Sequence, residues 1–309
     1  MPNIVISEFM DESSVNSAAQ KYEVHYDPDL VDKPEELKSL LARAQALIVR
    51  NRTRVTQELL NAAPQLRVVG RLGVGLDNID LHACKDRKVQ VCPATGANDA
   101  AVAEWVIITA MMLLRRAFTA KEECLAGMWP RGKSMGNESG GKTMGLIGFG
   151  GIARATAERA RCLGMLVIAY DPYVADDDPA WVNIEKIKNL SELLERSDIV
   201  SLHVPLTDET RHLIDASALS HMKPDTVLIN AARGGIVDET ALVEALTQKR
   251  LGGCALDVFK TEPLTPEAAG LFRDVPNLVL TPHIAGVTVE SNRRVSQVTM
   301  DNVRRILEE

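Results

Sequence analysis

Three side chains in the last third of the 309-residue sequence are suited to acid–base chemistry beside an anion. They are Arg233 in NAARGGIVDE (230–239), Glu262 in ALDVFKTEP (255–263) and His283 in LTPHIAGVT (280–288). Each follows an apolar run that reads as a strand. Strand ends in an open α/β sheet face the ligand crevice, so the fold would gather residues that the sequence separates. Reduction of a carbonyl flanked by a carboxylate needs such a set. His283 titrates near neutrality and suits the proton donor. Glu262 beside its other nitrogen would hold more of it as imidazolium. Arg233 would grip the carboxylate and polarise the carbonyl. Singly, each has a plainer reading: a helix-cap partner, a solvated loop acid, a satisfied loop histidine.

A second motif supplies a place for a dinucleotide. The run TMGLIGFG leads into Gly148-Phe149-Gly150-Gly151-Ile152-Ala153 and then a helical stretch. In this GxGxxA pattern, Gly148 permits the tight turn, Gly150 lets backbone approach a pyrophosphate, and Ala153 keeps helix and strand close. The helix start offers free N–H groups to phosphate. Asp171 lies 23 residues beyond Gly148, at the end of MLVIAYD. A carboxylate there accepts hydrogen bonds from ribose hydroxyls and repels a 2′-phosphate, and DPYVADDD contains no cation to welcome one, so NAD is expected over NADP.

Elements to position these residues recur along the chain. NIVISE, EVHYD, ALIVR, LRVVGRL and VQVCP read as five strands before residue 97, with helices such as PEELKSLLARA between some of them. A long helix is expected over 99–127. Six further strands follow: TMGLIGFG, MLVIAYD, IVSLHVP, TVLINAA, GCALDVF and LVLTPH. Alternation of this kind predicts parallel sheets flanked by helices. We expect a first domain of residues 1–97 plus 289–309, and a second, 98–288, inserted into it. Two crossings between domains imply a hinge whose closure excludes water.

Composition is that of an ordinary globular chain, with 46% hydrophobic and 25% charged residues. A net charge of −7 and the lack of a basic block argue against nucleic acid. MPNIVISEFMDE has no signal-peptide form, and no apolar run reaches membrane-spanning length. The five cysteines make no CxxC pair or zinc-like cluster, so no metal and a cytoplasmic location are expected.

Together, RLGVGLDNID (71–80), GLIGFGGIA, LHVPLTDETRHLI (202–214), NAARGGIVDE, ALDVFKTEP and PHIAG resemble the D-isomer-specific 2-hydroxyacid dehydrogenase family over nearly the whole chain. The likeness is strongest to its 3-phosphoglycerate dehydrogenase-like members, while the N-terminal ISEFMDE is similar to sulfolactate dehydrogenases. The resemblance implies an α/β fold of two doubly wound parallel-sheet domains: a Rossmann-type NAD domain inserted in a flavodoxin-like substrate domain. It implies catalysis by Arg233, Glu262 and His283. Formate dehydrogenases, a branch of the family, typically lack the acid that Glu262 supplies, so Glu262 argues against that branch. It implies NAD contacts from Gly148, Gly150, Gly151, Ile152, Asp171, His203, Pro205, Thr210, Ala231, Asp257 and Gly286, with His203 beside the adenine and Asp257 at the nicotinamide carboxamide. Substrate contacts fall on the turn Gly73-Val74-Gly75, a small anion nest, on Arg233, and on Arg50, Arg52 and Arg71 for a second anionic group. For Arg52, a solvated charge at a strand end is an equal reading. A homodimer through the helix beginning NDAAVAEWVIITAMMLL is also implied. The expected substrate is a small anionic 2-hydroxy or 2-keto acid, phosphoglycerate-, sulfolactate- or glycerate-like. The alternative is an NAD-sensing scaffold of the corepressor kind on the same fold, and the absence of a tail beyond the last helix favours the enzyme.

Overall fold

A computed structural model describes residues 3–118 and 120–309. The chain divides into two compact units, residues 1–98 with 287–309, and residues 99–286. The first is built on a five-stranded sheet of β1 (Asn3–Ile6), β2 (Glu23–Tyr26), β3 (Ala44–Val49), β4 (Val68–Arg71) and β5 (Gln90–Pro93). Its order is β2-β1-β3-β4-β5 and every pairing is parallel, which is the flavodoxin-like doubly wound order. Successive side chains of a strand point to opposite faces. Ile4 and Ile6 therefore join Ile48 and Val68 on one face, while Val5, Leu47 and Val69 join the other.

The helix Val289–Glu308 covers the first of these faces, capped at its start by the Thr288 hydroxyl, which accepts from the Ser291 N–H. Its Val295, Met300, Val303 and Ile306 are buried among the strand residues. This is how the end of the sequence becomes part of the domain formed by its beginning.

The second unit carries β6 (Thr143–Ile147), β7 (Leu166–Tyr170), β8 (Glu185–Lys186), β9 (Ile199–Leu202), β10 (Val227–Asn230), β11 (Gly253–Leu256) and β12 (Leu278–Leu280). They lie in the order β12-β11-β10-β9-β6-β7-β8, all parallel. The order reverses between β6 and β9, which places a ligand crevice at their carboxyl ends. The sheet has seven strands where six were expected. The additional β8 has two residues, both charged, and carries no apolar signature.

The helix expected over 99–127 is also corrected. It runs over Asp99–Arg115, and a short second helix spans Lys121–Leu125. Arg116 takes a left-handed backbone, φ 51°. The returning chain docks on the helix end, where the Asn137 N–H donates to the Leu114 carbonyl at 2.8 Å. A distant segment thus caps the helix where the local sequence has neither Gly nor Pro to stop it. Among the described residues no helix is long and apolar enough to cross a membrane.

The closing helix gives a direct test of its structural role. Met300 is 1% exposed and packed against the first sheet. Met300→Ala should destabilise the first unit by about 2–5 kcal/mol through lost burial and a residual cavity. A denaturation midpoint unchanged from the parent protein would contradict that packing.

Candidate active site

His283 sits just beyond β12 with a left-handed backbone, φ 55°. Such a conformation is uncommon for a residue with a Cβ and needs support from its surroundings. Asp257, just beyond β11 and 1% exposed, provides it. The His283 N–H donates to the Asp257 carbonyl at 2.8 Å. The Asp257 carboxylate accepts from the Ile284 and Ala285 N–H groups, each at 2.8 Å, and from the Thr281 hydroxyl. Burial is the largest influence on this carboxyl and raises it above its ordinary value, against the opposing Thr281, Ala285 and Ile284 hydrogen bonds.

With the loop fixed, the His283 imidazole meets Glu262: Nδ1 and Oε2 are 2.8 Å apart. Oε1 of Glu262 accepts from the Phe259 N–H at 2.9 Å, so the carboxylate is anchored at both oxygens. Burial would raise the Glu262 carboxyl. The His283 hydrogen bond, the Phe259 amide and the Arg233 charge outweigh it and hold the group below its ordinary value. The His283 side chain stays 42% exposed, so the pair is built but open to a ligand.

Arg233 belongs to the turn after β10. Asn230, 1% exposed, pins that turn: its Nδ2 donates to the Arg233 carbonyl at 2.9 Å and its Oδ1 accepts from the Ala232 N–H at 3.0 Å. Gly234 then allows close approach to the segment carrying Glu262. A Cβ built on Gly234 would lie 1.8 Å from the Phe259 carbonyl oxygen. The three expected catalytic residues are therefore brought together by two backbone segments in contact, and no side chain larger than hydrogen fits between them.

The glycine loop fits a dinucleotide pyrophosphate. Gly148 has φ +88°, and a Cβ on it would lie 2.5 Å from the His203 carbonyl oxygen. The helix Gly151–Cys162 starts from Gly150 with no side-chain cap, so its first N–H groups have no intrahelical acceptor. The Phe149 N–H donates to Asp171 Oδ2 at 2.8 Å, and Oδ1 accepts from the Tyr173 N–H at 2.8 Å. Asp171 thus joins the loop to the end of β7. Phe149 itself is buried and stacks on Trp181, centroids 4.7 Å apart. His203 bonds Ser201, Nε2 to Oγ 3.0 Å. Burial pushes it down to about 4, so it is neutral at physiological pH. The Thr210 hydroxyl donates to the Pro205 carbonyl at 2.6 Å, fixing the loop after β9. Ile152 and Ala231 are half-buried, and Gly286 ends the unit.

In the first unit, the three arginines differ. Arg52 pairs with Asp32 at the surface. Arg71 turns back on its own loop: Nη1 donates to the Leu72 carbonyl at 2.6 Å, over the Gly73 backbone. Arg50 is half-buried, its Nη2 donating to Asn292 Oδ1 at 3.1 Å and its guanidinium 5.9 Å from the Phe9 ring centroid. Under this loop lies Glu8, 4% exposed. Its carboxylate accepts four backbone N–H groups, from Arg50, Asn51, Arg52 and Thr53, at 2.9–3.3 Å. Burial would raise it, but the Thr53, Arg50 and Arg52 amides hold it below its ordinary value. The Val74 and Gly75 N–H groups donate to no group among the described residues.

Sequence reading missed the positioning residues Glu8, Asn230, Gly234 and Asn292. It placed Asp257 at the cofactor and did not foresee that this carboxylate also clamps the His283 loop. Glu8 carried one signal, a lone acid straight after an apolar strand. Among the described residues no His, Cys, Asp and Glu cluster is placed to hold a metal.

Residues 107–285 match the model of the D-isomer specific 2-hydroxyacid dehydrogenase, NAD binding domain. The chain is 55% identical over 307 residues to the (S)-sulfolactate dehydrogenase of Chromohalobacter salexigens, covering 99% of both proteins. It is 39% identical to the D-3-phosphoglycerate dehydrogenase of Mycobacterium leprae, matching 99% of this chain and spanning 57% of that protein. Among solved structures, a glyoxylate reductase from Paecilomyes thermophila superposes with TM-score 0.87 at 27% identity, covering all of this chain and 96% of that one.

The contact between the two catalytic segments can be tested at Gly234. A methyl group there must displace the Phe259 backbone, so Gly234→Ala should cost about 1–3 kcal/mol of stability and separate Arg233 from Glu262. Calorimetry should show a lowered melting temperature for the second unit. A variant as stable as the parent would show that the approach is not tight.

Proposed function

Because the chain belongs to the D-isomer-specific 2-hydroxyacid dehydrogenase family, NAD-dependent enzymes that interconvert 2-hydroxy and 2-keto acids, we propose that its substrate is a small D-type acid of the phosphoglycerate, sulfolactate or glycerate kind. The observation that carries the catalytic assignment is the 2.8 Å contact of His283 with Glu262 beside Arg233. The Gly148–Gly151 loop and Asp171 would hold the nicotinamide cofactor, which would supply a hydride as NADH for reduction and take one up as NAD+ in oxidation. Nδ1 of His283 is occupied by Glu262, which leaves Nε2 to give its proton to the carbonyl oxygen as charge develops there. In oxidation the same nitrogen accepts the hydroxyl proton. Arg233 stabilises the developing oxyanion and binds the carboxylate. The first unit offers this ligand class its own donors, the Val74 and Gly75 amides and the Arg50 guanidinium.

Asp171 favours NAD over NADP, since its carboxylate closes the end of β7 to a 2′-phosphate. A homodimer is the expected assembly. Along Asp99–Arg115, Ile108 is 57% exposed and Trp105, Met111 and Met112 are half-buried, and Leu125, Met128, Trp129 and Met135 are exposed nearby in sequence. A twofold-related copy would cover these groups. Multi-angle light scattering should give twice the 33.7 kDa chain mass; a monomer at working concentration would refute the dimer. The cysteines are all unpaired, in keeping with a reducing cytoplasm.

His283→Ala should slow both directions by about 10²–10⁴-fold while NAD still binds, since the glycine loop is untouched. Near-normal turnover would overturn the assignment. Glu262→Gln removes the negative charge that favours the protonated imidazole. Reduction needs that proton, so its decline with rising pH should begin at lower pH than in the parent enzyme. Oxidation needs the neutral ring, so its rising limb should move the same way. A pH profile identical to the parent's would remove Glu262 from this role. Stability gives the opposite check on sign. Glu262 is held below its ordinary 4.5, so its pairing contributes fully above that pH and is lost as pH falls through the lowered value. The stability gap between parent and Glu262→Gln should therefore close on acidification.

A further inference from the structure

We infer that the Asp99 carboxylate is a resident anion at the start of the helix Gly151–Cys162, and that it holds down the affinity of the coenzyme loop for the dinucleotide pyrophosphate. The inference rests on the reading of Gly148–Gly151 as that loop and adds a residue that the loop motif does not contain. Asp99 opens the helix Asp99–Arg115, which packs along Gly151–Cys162 within the second unit. Val102, Val106 and Ala110 of the first helix share one core with Ala153, Ala157 and Ala160 of the second. The two helix starts are thereby brought together, and a Cβ built on Gly151 would collide with Asp99 Oδ2. Gly151 begins an ordinary α-helix and has no left-handed backbone to account for a glycine. What it lacks is the side chain whose place Asp99 takes. The carboxylate is half-buried, and among the described residues it has neither a hydrogen-bond donor nor a cation. Burial alone acts on it and raises it above its ordinary value. The neighbouring arginines are committed elsewhere, Arg154 to the Phe149 carbonyl and Asp178, Arg159 to the Ala155 carbonyl and Glu104.

In a helix each Cα–Cβ bond tilts toward the N-terminus. A group standing at the Cβ place of Gly151 therefore lies on the side from which an anion meets the first N–H groups. While the loop is empty, a negative charge there is favourable, because the unpaired N–H groups and the helix dipole carry partial positive charge. A pyrophosphate brings its own negative charges to the same field, and the balance reverses. Asp99 has no salt bridge into which its charge could withdraw. The dinucleotide then binds against a like charge that water screens only in part. NAD and NADH are affected alike, since both carry the pyrophosphate, and so are fragments that contain it. The consequence for turnover is easier release of the coenzyme once the hydride has moved.

The test is equilibrium binding to the parent protein, Asp99→Asn and Asp99→Ser, with no acid substrate present. NADH is followed by its fluorescence, and ADP-ribose and adenosine by calorimetry. Both variants should bind NADH and ADP-ribose about 5-fold or more tightly than the parent, the scale of one partly buried charge at a helix N-terminus. Adenosine, which has no pyrophosphate, should bind as before. The gain should shrink at high salt. The empty variants should melt at a lower temperature than the empty parent, since a favourable charge has left the helix start. Unchanged or weaker NADH binding by the folded variants would overturn the inference and leave the dehydrogenase reading intact. Equal tightening of adenosine would also overturn it, by placing the effect away from the pyrophosphate. A parent protein that binds neither NADH nor ADP-ribose would overturn both the inference and the loop reading beneath it.

Discussion

The buried carboxylate of Asp257 is the constraint on which the geometry of the proposed catalytic histidine depends. Two amides and a hydroxyl converge on it from the 281–285 loop, and the backbone of the same aspartate receives the His283 N–H. Without it, a histidine in a left-handed conformation would relax to a more populated region of backbone space. Glu262 could not then find Nδ1 at a fixed place. Charge buried at a cost is acceptable here because nearly every lone pair has a partner. The result is an imidazole whose backbone is rigid and whose outer nitrogen is left available.

The same device recurs in the first unit. Glu8 gathers four consecutive amides of the loop after β3, as Asp257 gathers those of the loop after β12. In both cases a carboxylate at the end of one parallel strand organises the loop at the end of another. Parallel sheets make this natural, since all their strands end on the same side. The loops that bear His283 in one unit and Arg50 in the other are thereby left little freedom of their own.

This division of labour explains what could be read from the sequence. Strands β1 to β5 were legible as short β-type runs alternating with helical stretches, and the glycine loop because its spacing has a physical purpose. Arg233, Glu262 and His283 were legible as polar residues just beyond strand ends. The clamps were not, because a buried acid and a solvated one look alike in a linear sequence. The clamp that Asp257 places on the His283 loop was therefore not foreseen, and Glu8 was not read at all. Nor was β8, whose pairing comes from its neighbour β7 and not from its own Glu185 and Lys186. The end of the long helix at Arg115 depends on residue 137, and helical periodicity contains no information about a partner so far along the chain.

The stacking of Trp181 on Phe149 has a consequence for how the dinucleotide loop works. Phe149 stands between the two glycines that shape the loop, yet it is anchored from behind by the indole and by Arg154, whose Nε donates to the Phe149 carbonyl at 2.9 Å. Glycine-rich segments ordinarily surrender much conformational entropy when a ligand orders them. Here that loss is incurred during folding, before any cofactor arrives. Exchange of oxidised for reduced cofactor would then proceed without refolding the loop on each cycle.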